Sequence, residues 1–214
     1  MPIVDYPPPY PVQFRGSRIA RFLLGLIGWR VMFEGFPARQ GVAIVYPHTS
    51  NWDFPVMVLV KWTTGIQACF WAKDSLFRIP LFGRWLGWLG GLPIDRSAAN
   101  GVVGSMVARF DEARSRDAYL WLALSPEGTR RRLGGWRSGF YGVTHGAGVP
   151  LALIRLDYGR REVRIDQFMR LSGDPAQDYI RMAQAFDQVR GYHADQAAPI
   201  QPLTSSRSPS ETTP

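Results

Sequence analysis

His48 and Asp53 are the residues whose types and spacing most directly suggest chemistry. They lie close after an apolar, β-branched run (GVAIVY) that predicts a buried strand. In a regular helix, five positions correspond to about 140° of rotation, so the two side chains meet only if the chain turns between them. The carboxylate would then orient the imidazole, whose other nitrogen could remove a proton from a hydroxyl. Alternatively, Asp53 only caps the following helix and His48 is a turn residue.

Two further segments are suited to binding an anion. The segment from Ser125 to Arg130 (SPEGTR) follows a predicted strand, and the segment from Gly90 to Arg96 places another arginine beside a short strand. Glycine lets a backbone approach a ligand, threonine and arginine donate hydrogen bonds to an oxyanion, and glutamate can orient a guanidinium or a substrate hydroxyl. These residue types suit a phosphate group. Each segment alone also fits a solvated turn or a surface ion pair.

Strands and helices alternate along the chain, which predicts the α/β class: a single domain with a mixed, largely parallel central sheet flanked by helices. Loops that leave the strand ends of such sheets commonly carry the functional residues. The predicted strands are 41–46, 66–72, 91–95, 119–124, 151–158 and 162–167, and the predicted helices are 52–62, 100–116, 138–147 and 174–192.

The length of 214 residues suits one domain with one sizeable core. We predict a proline-rich segment over 1–17, the main domain over 18–196 and a disordered tail over 197–214. Cys69 is the single cysteine, which excludes an internal disulfide and a cysteine-rich zinc site, and we expect no metal site. A serine or cysteine hydrolase is disfavoured because the chain has no G-x-S-x-G elbow and Cys69 lies in an apolar strand.

Charge and apolar patterning predict contact with a membrane surface. The formal net charge of +8 favours anionic partners, and no run of apolar residues is long enough for a spanning helix. Residues 18–33 predict an amphipathic helix, and residues 76–92 interleave aromatic residues with arginines. Residues 1–11 do not resemble a signal peptide. We therefore expect a peripheral or monotopic protein on the cytoplasmic face of a membrane, although both stretches could instead pack on the core.

Taken in order, these segments resemble the glycerolipid acyltransferase family, the lysophospholipid or 1-acylglycerol-3-phosphate acyltransferases. Members carry an H-x4-D block, a block that runs from glycine to arginine, an E-G-T-R block and a strand with a central proline. The likeness spans roughly Gly41 to Tyr158. The matching blocks here are His48–Asp53, Gly91–Arg96, Glu127–Arg130 and Val149–Leu151.

The resemblance implies an O-acyltransferase of phospholipid biosynthesis. His48, oriented by Asp53, would act as general base while the hydroxyl of a lysophospholipid such as 1-acylglycerol-3-phosphate attacks an acyl thioester directly. The donor would be acyl-CoA or acyl-carrier protein, and no other cofactor is implied. The residues expected to bind the substrate anion are Arg96, Glu127, Gly128, Thr129 and Arg130.

The identity of the acceptor stays open at this point. The sequence departs from the family pattern beside the blocks, at Pro47, Pro93, Ser125 and Leu153, so a lipid acceptor without glycerophosphate is an alternative. A basic nucleic-acid-binding protein or a non-catalytic lipid-binding protein is a further alternative. We expect no nucleic-acid partner, because the arginines are scattered and no recognised nucleic-acid-binding motif occurs.

Overall fold

The computed structural model describes residues 5–94 and 99–203. Within them, eight strands form one sheet in the order β1-β7-β6-β2-β5-β3-β4, and β8 pairs with β6. All pairings are parallel except those of β6 with β7 and with β8. The predicted mixed, largely parallel sheet is thus confirmed. The strands are β1 (Arg30–Phe33), β2 (Gln40–Tyr46), β3 (Ala68–Lys73), β4 (Gly91–Ile94), β5 (Leu120–Leu124), β6 (Leu151–Asp157), β7 (Glu162–Ile165) and β8 (Phe168–Met169).

Helices cover both faces of the sheet. Helices α1 and α2 contribute to the core on one face, and α5, α6 and α7 contribute to the core on the other. Glycines bring α6 close to α5: a Cβ added at Gly142 would lie 3.2 Å from a methyl carbon of Val103. The helices are α1 (Arg18–Leu26), α2 (Asp53–Thr64), α3 (Asp74–Phe77), α4 (Phe82–Trp88), α5 (Ala99–Ser115), α6 (Gly139–Ala147) and α7 (Pro175–Ala185), followed by a 3-10 turn (Ala194–Gln196).

The three central strands carry a row of small side chains beneath α2. Ala43 on β2 pairs in register with Ala123 on β5 and with Ala152 on β6. Side chains alternate between the faces of a sheet, and these alanines face the core that contains α2, whereas Val42 and Ile44 face the core that contains α6. The alanine row therefore leaves space between the sheet and α2.

The N-terminal helix is shorter than the predicted 18–33. It ends at Leu26, and Gly28 then adopts the left-handed conformation (φ 76°) that favours glycine. Residues 30–33 form β1 and pair with β7 instead of extending the helix. Ala20 and Leu24 are buried, while the apolar α1 stripe faces outward; it consists of Ile19, Phe22, Leu23, Leu26 and Ile27. None of the helices in residues 5–94 and 99–203 has the length and apolar character to cross a membrane.

The C-terminal part also differs from the sequence prediction. Helix α7 ends at Ala185 instead of Tyr192, and part of the predicted disordered tail packs on the domain. Ala198 is fully buried, and the main chain of Trp136 exchanges hydrogen bonds with Gln201 and Leu203. This contact with a distant segment orders residues 197–203 despite their proline-rich composition. The rest of the predicted tail, residues 204–214, lies outside the described residues.

Candidate active site

The structure brings His48 and Asp53 into contact. Nδ1 of His48 lies 2.9 Å from Oδ2 of Asp53, whose side chain is almost fully buried. The chain turns between them because the loop leaving β2 runs directly into α2, which begins at Asp53. The Asp53 carboxylate also accepts a hydrogen bond from Ser50 N at 2.9 Å. Because Nδ1 donates to the carboxylate, Nε2 is left as the nitrogen that can accept a proton.

Glu127 supports the same loop from the neighbouring strand. Since β2 and β5 are parallel neighbours, their carboxyl ends meet at one edge of the sheet. Glu127 is only 1% exposed, and its carboxylate accepts hydrogen bonds from His48 N at 2.6 Å and Ala198 N at 2.9 Å. Burial raises the pKa of Glu127, and the two main-chain hydrogen bonds act in the opposite direction. The carboxylate thus faces inward, toward the backbone of the loop that carries His48.

Thr129 and Arg130, two other predicted anion-binding residues, follow Glu127 in the same turn. Arg130 is exposed, and Thr129 Oγ1 accepts a hydrogen bond from Arg131 N at 3.3 Å. Gly128 has φ 65°, and a Cβ there would lie 2.7 Å from Cδ of Arg137. Glycine at this position therefore lets the Arg137 side chain approach the turn. Arg96 lies outside the described residues, so its role stays a prediction.

A large apolar cavity begins at the histidine and the aspartate. Its volume is about 740 Å³, and it extends between α2 and the sheet, over Ala43 and Ala123, and also toward α5 and α6. Polar residues line one end, and the hydroxyl of Ser125 there is buried without a hydrogen-bond partner among the residues described. The remaining wall is mainly aliphatic and aromatic. Representative lining residues are Ala43, Met57, Val60, Phe70, Trp121 and Ala123.

The family of the chain follows from its sequence match. A family model described as Acyltransferase matches residues 30–152, more than half of the 214 residues. The chain belongs to the acyltransferase family. No curated protein matches it. A solved structure of the 1-acyl-sn-glycerophosphate (LPA) acyltransferase PlsC from Thermotoga maritima is similar at 16% sequence identity and a TM-score of 0.49, over 79% of this chain and 74% of that one.

Two further groups beside His48 and Asp53 cannot be identified from the sequence. The Tyr158 hydroxyl donates to Oδ1 of Asp53 at 2.8 Å, and His193 N donates to Thr49 Oγ1 at 3.1 Å. Tyr158 follows β6, the parallel neighbour of β2, so its position at this edge depends on the order of the strands. No spacing in the sequence reveals that order. Both groups lie beyond the residues that the family model matches.

Proposed function

We propose that this acyltransferase moves a fatty acyl group from an acyl thioester to the hydroxyl of a lysophospholipid such as 1-acylglycerol-3-phosphate. One observation carries the proposal: His48 and Asp53 lie in the wall of the apolar cavity of about 740 Å³. A hydrocarbon chain beneath α2 would place its carbonyl group at the polar end, beside the imidazole. Apolar walls with a few polar groups at one end are typical of sites for such ligands.

The reaction follows from the orientation of the imidazole. Nε2 of His48 takes the proton of the acceptor hydroxyl while the oxygen attacks the thioester carbonyl carbon, and the new C–O bond produces a tetrahedral oxyanion. Asp53 stabilises the resulting imidazolium through Nδ1. Collapse of the oxyanion breaks the C–S bond, and the imidazolium returns the proton to the leaving thiolate. The Ser125 hydroxyl at this end of the cavity is available to hydrogen-bond a substrate oxygen.

Arginines beside the polar end would hold the acceptor phosphate. Arg137 lines this end together with Gly128. Arg130, two residues after Gly128 in the same turn, is exposed. Guanidinium groups form charge-assisted, often bidentate hydrogen bonds with phosphate. The phosphate is therefore proposed to bind at the E-G-T-R turn, with Arg96 as a further predicted contact. The thioester donor is proposed to be acyl-CoA or acyl-carrier protein.

The product lipid tests this assignment. The purified protein is incubated with a labelled acyl thioester and a panel of lysolipids, and the products are identified by mass spectrometry. We expect lysophosphatidate to be converted to a diacyl phosphate lipid. If lysophosphatidate remains unacylated while a lipid without glycerophosphate reacts, the acceptor assignment is wrong and the alternative acceptor class is correct.

Filling the cavity should shorten the acyl chain that the enzyme accepts. Ala123→Leu adds three carbon atoms in the wall beneath α2, at the β5 end of the alanine row. We expect kcat/KM for a long-chain acyl donor to fall by about tenfold or more, since each buried methylene contributes about 0.8 kcal/mol, while a short-chain donor is used as before. Rates measured with a series of acyl thioesters check this. Ala108→Leu, on the exposed side of α5, is the matched control; equal losses at every chain length would contradict the placement of the chain.

We also propose that the protein binds the cytoplasmic face of an anionic membrane through a continuous apolar surface. The α1 stripe is exposed, with fractions from 44% for Leu23 to 74% for Ile19. Trp62 on α2 extends this surface, because its carbonyl accepts a hydrogen bond from Ser17 N, just before α1, and its ring lies 6.4 Å from that of Trp88 on α4. The stripe consists of Ile19, Phe22, Leu23, Leu26 and Ile27, and the arginines at the start of α1 are Arg18 and Arg21.

This surface reaches the cavity through α4. The Trp85 ring of α4 lies 6.0 Å from the ring of Phe54, which lines the cavity. Exposed aromatic and aliphatic side chains beside arginines favour the interface of a bilayer with anionic headgroups. Docking there would let a lipid substrate pass from the bilayer toward His48 with little exposure to water.

Adding a charge to the α1 stripe should weaken membrane binding. Phe22 is 65% exposed, and Phe22→Glu both removes its apolar ring and repels anionic headgroups. We expect partitioning onto vesicles with anionic phospholipid to fall by about tenfold or more, because burying such a side chain contributes about 1.5–3 kcal/mol. Vesicle co-sedimentation measures the effect. Ile180→Glu, 53% exposed on α7 beyond the opposite face of the sheet, is the control; equal behaviour of the two variants would locate the membrane contact elsewhere.

A further inference from the structure

The carboxylate of Asp53 is held at both oxygens. Oδ2 accepts hydrogen bonds from His48 Nδ1 and Ser50 N, whereas Oδ1 accepts one from the hydroxyl of Tyr158. The first two donors belong to the loop that leaves β2, and the third comes from the end of β6. Without Tyr158, a buried carboxylate oxygen would lose the donor that the described residues supply to it, and such a loss is costly.

The position of Tyr158 is itself set by distant parts of the chain. Its main-chain N donates to the carbonyl of Arg190 at 2.8 Å. The Tyr158 ring makes edge-to-face contacts with the ring of Trp29 (centroids 4.8 Å apart) and with the ring of Tyr192 (5.3 Å). Trp29 is buried directly before β1, and Tyr192 lies after α7 in the chain. The hydroxyl is therefore presented to Asp53 by a ring that packing restrains.

We infer that Tyr158 is a positioning residue, which fixes the Asp53 carboxylate and through it the ring of His48. The inference rests on the proposed function, in which His48 acts as the base. A carboxylate that is bound at one oxygen only can turn and change the direction of the Nδ1 hydrogen bond, and the imidazole turns with it. With both oxygens bound, Nε2 stays directed at the reacting hydroxyl. Small errors in such alignment reduce rates strongly.

The chemistry of the tyrosine suits this role. Burial, together with the hydrogen bond to Asp53, raises the pKa of Tyr158 well above its ordinary value. The phenol therefore keeps its proton at any working pH and acts as a constant donor. It is not in a position to serve as a second base, since its oxygen is engaged with Asp53.

Tyr158→Phe tests the inference, because it keeps the ring contacts and removes only the hydroxyl. We expect kcat to fall by about ten- to hundredfold, in line with the loss of one hydrogen bond to a charged group. KM for the acyl donor and for the acceptor should change little. Tyr192→Phe is the matched control, since it removes a hydroxyl from the adjoining ring without touching Asp53, and its kcat should equal that of the wild type. A merely structural role would show only as lower thermal stability and would leave kcat of the folded variant at the wild-type value.

A spectroscopic readout keeps the test independent of turnover. The proton on Nδ1 of His48, hydrogen-bonded to Asp53, should give a low-field NMR resonance, and we expect Tyr158→Phe to move it further downfield while Tyr192→Phe leaves it in place. An unmoved resonance and an undiminished kcat in Tyr158→Phe would overturn the inference about Tyr158 and leave the proposed function standing. A wild-type protein that acylates no acceptor would instead overturn the proposed function, and the resonance would then still decide whether Tyr158 positions the pair.

Discussion

Alanine in place of His48 is expected to lower kcat for acyl transfer by about 10²–10⁴-fold, the usual contribution of a general base. The imidazole is the proposed proton acceptor at the end of the cavity. Among the described residues near it, Asp53 is hydrogen-bonded to the imidazole and Glu127 to the backbone, so neither carboxylate is placed to take over its role. KM for either substrate should change little, because the cavity wall and the arginines remain. Steady-state rates with the preferred thioester and lysolipid measure the effect.

His145 provides the matched control for this substitution. It is exposed on α6, where it stacks near Tyr141, and it lies outside the cavity wall. His145→Ala should leave kcat within about twofold of wild type, as expected of a surface substitution. Vesicle binding should be unchanged in both variants, because neither residue belongs to the proposed membrane surface. Undiminished turnover by His48→Ala would refute the assignment of the base.

Removing the Glu127 carboxylate should damage both stability and catalysis. Glu127→Ala leaves the main-chain N–H groups of His48 and Ala198 without their acceptor in a buried place. Each orphaned group costs about 1–3 kcal/mol, so the free energy of unfolding should fall by at least about 2 kcal/mol. Release of His48 N also loosens the loop that aligns the imidazole, and kcat should fall by about tenfold or more. Urea unfolding and steady-state kinetics measure the two effects.

Glu112→Ala is the control for these losses. Glu112 is exposed on α5 in an i,i+4 pair with Arg116 at 3.0 Å, and such a pair contributes about 0.5 kcal/mol or less. Glu112→Ala should therefore change neither stability nor kcat by much.

The stability difference between wild type and Glu127→Ala should decrease as the pH rises. Because burial raises the folded-state pKa of Glu127 above 4.5, its contribution is fully present below that value and declines as the pH rises through the folded pKa. A difference that grew with pH would contradict the burial of this carboxylate.

The central strands and the positions of His48 and Asp53 could be predicted from local sequence. The apolar runs at β2, β5 and β6 predict buried strands, and His48 and Asp53 follow β2 directly. The length of α1 could not be predicted as readily, because the apolar period continues past Gly28, where the backbone turns away. Composition predicts disorder for residues 197–214, whereas Ala198 is buried through contacts with residues far away in the sequence.

Motif spacing identified the residue types of the site but not their directions. The E-G-T-R block predicted a group for the substrate anion, and the structure shows the carboxylate of Glu127 turned toward His48 N instead. That direction depends on β2 and β5 being neighbours, and the contact of Tyr158 with Asp53 depends on β6 lying beside β2. Strand order is a property of the whole chain, which local patterns do not contain.

The alanine row implies a trade-off between thermal stability and activity. The residues that hold α2 on the sheet are the same ones that would enclose a hydrocarbon chain, so packing within the protein competes with room for its ligand. A larger side chain at Ala43 or Ala123 would tighten the interior and resist heat better, yet leave less length for the acyl group. Variants selected only for heat resistance should therefore accept shorter acyl chains, because activity commonly depends on such unfilled interior space.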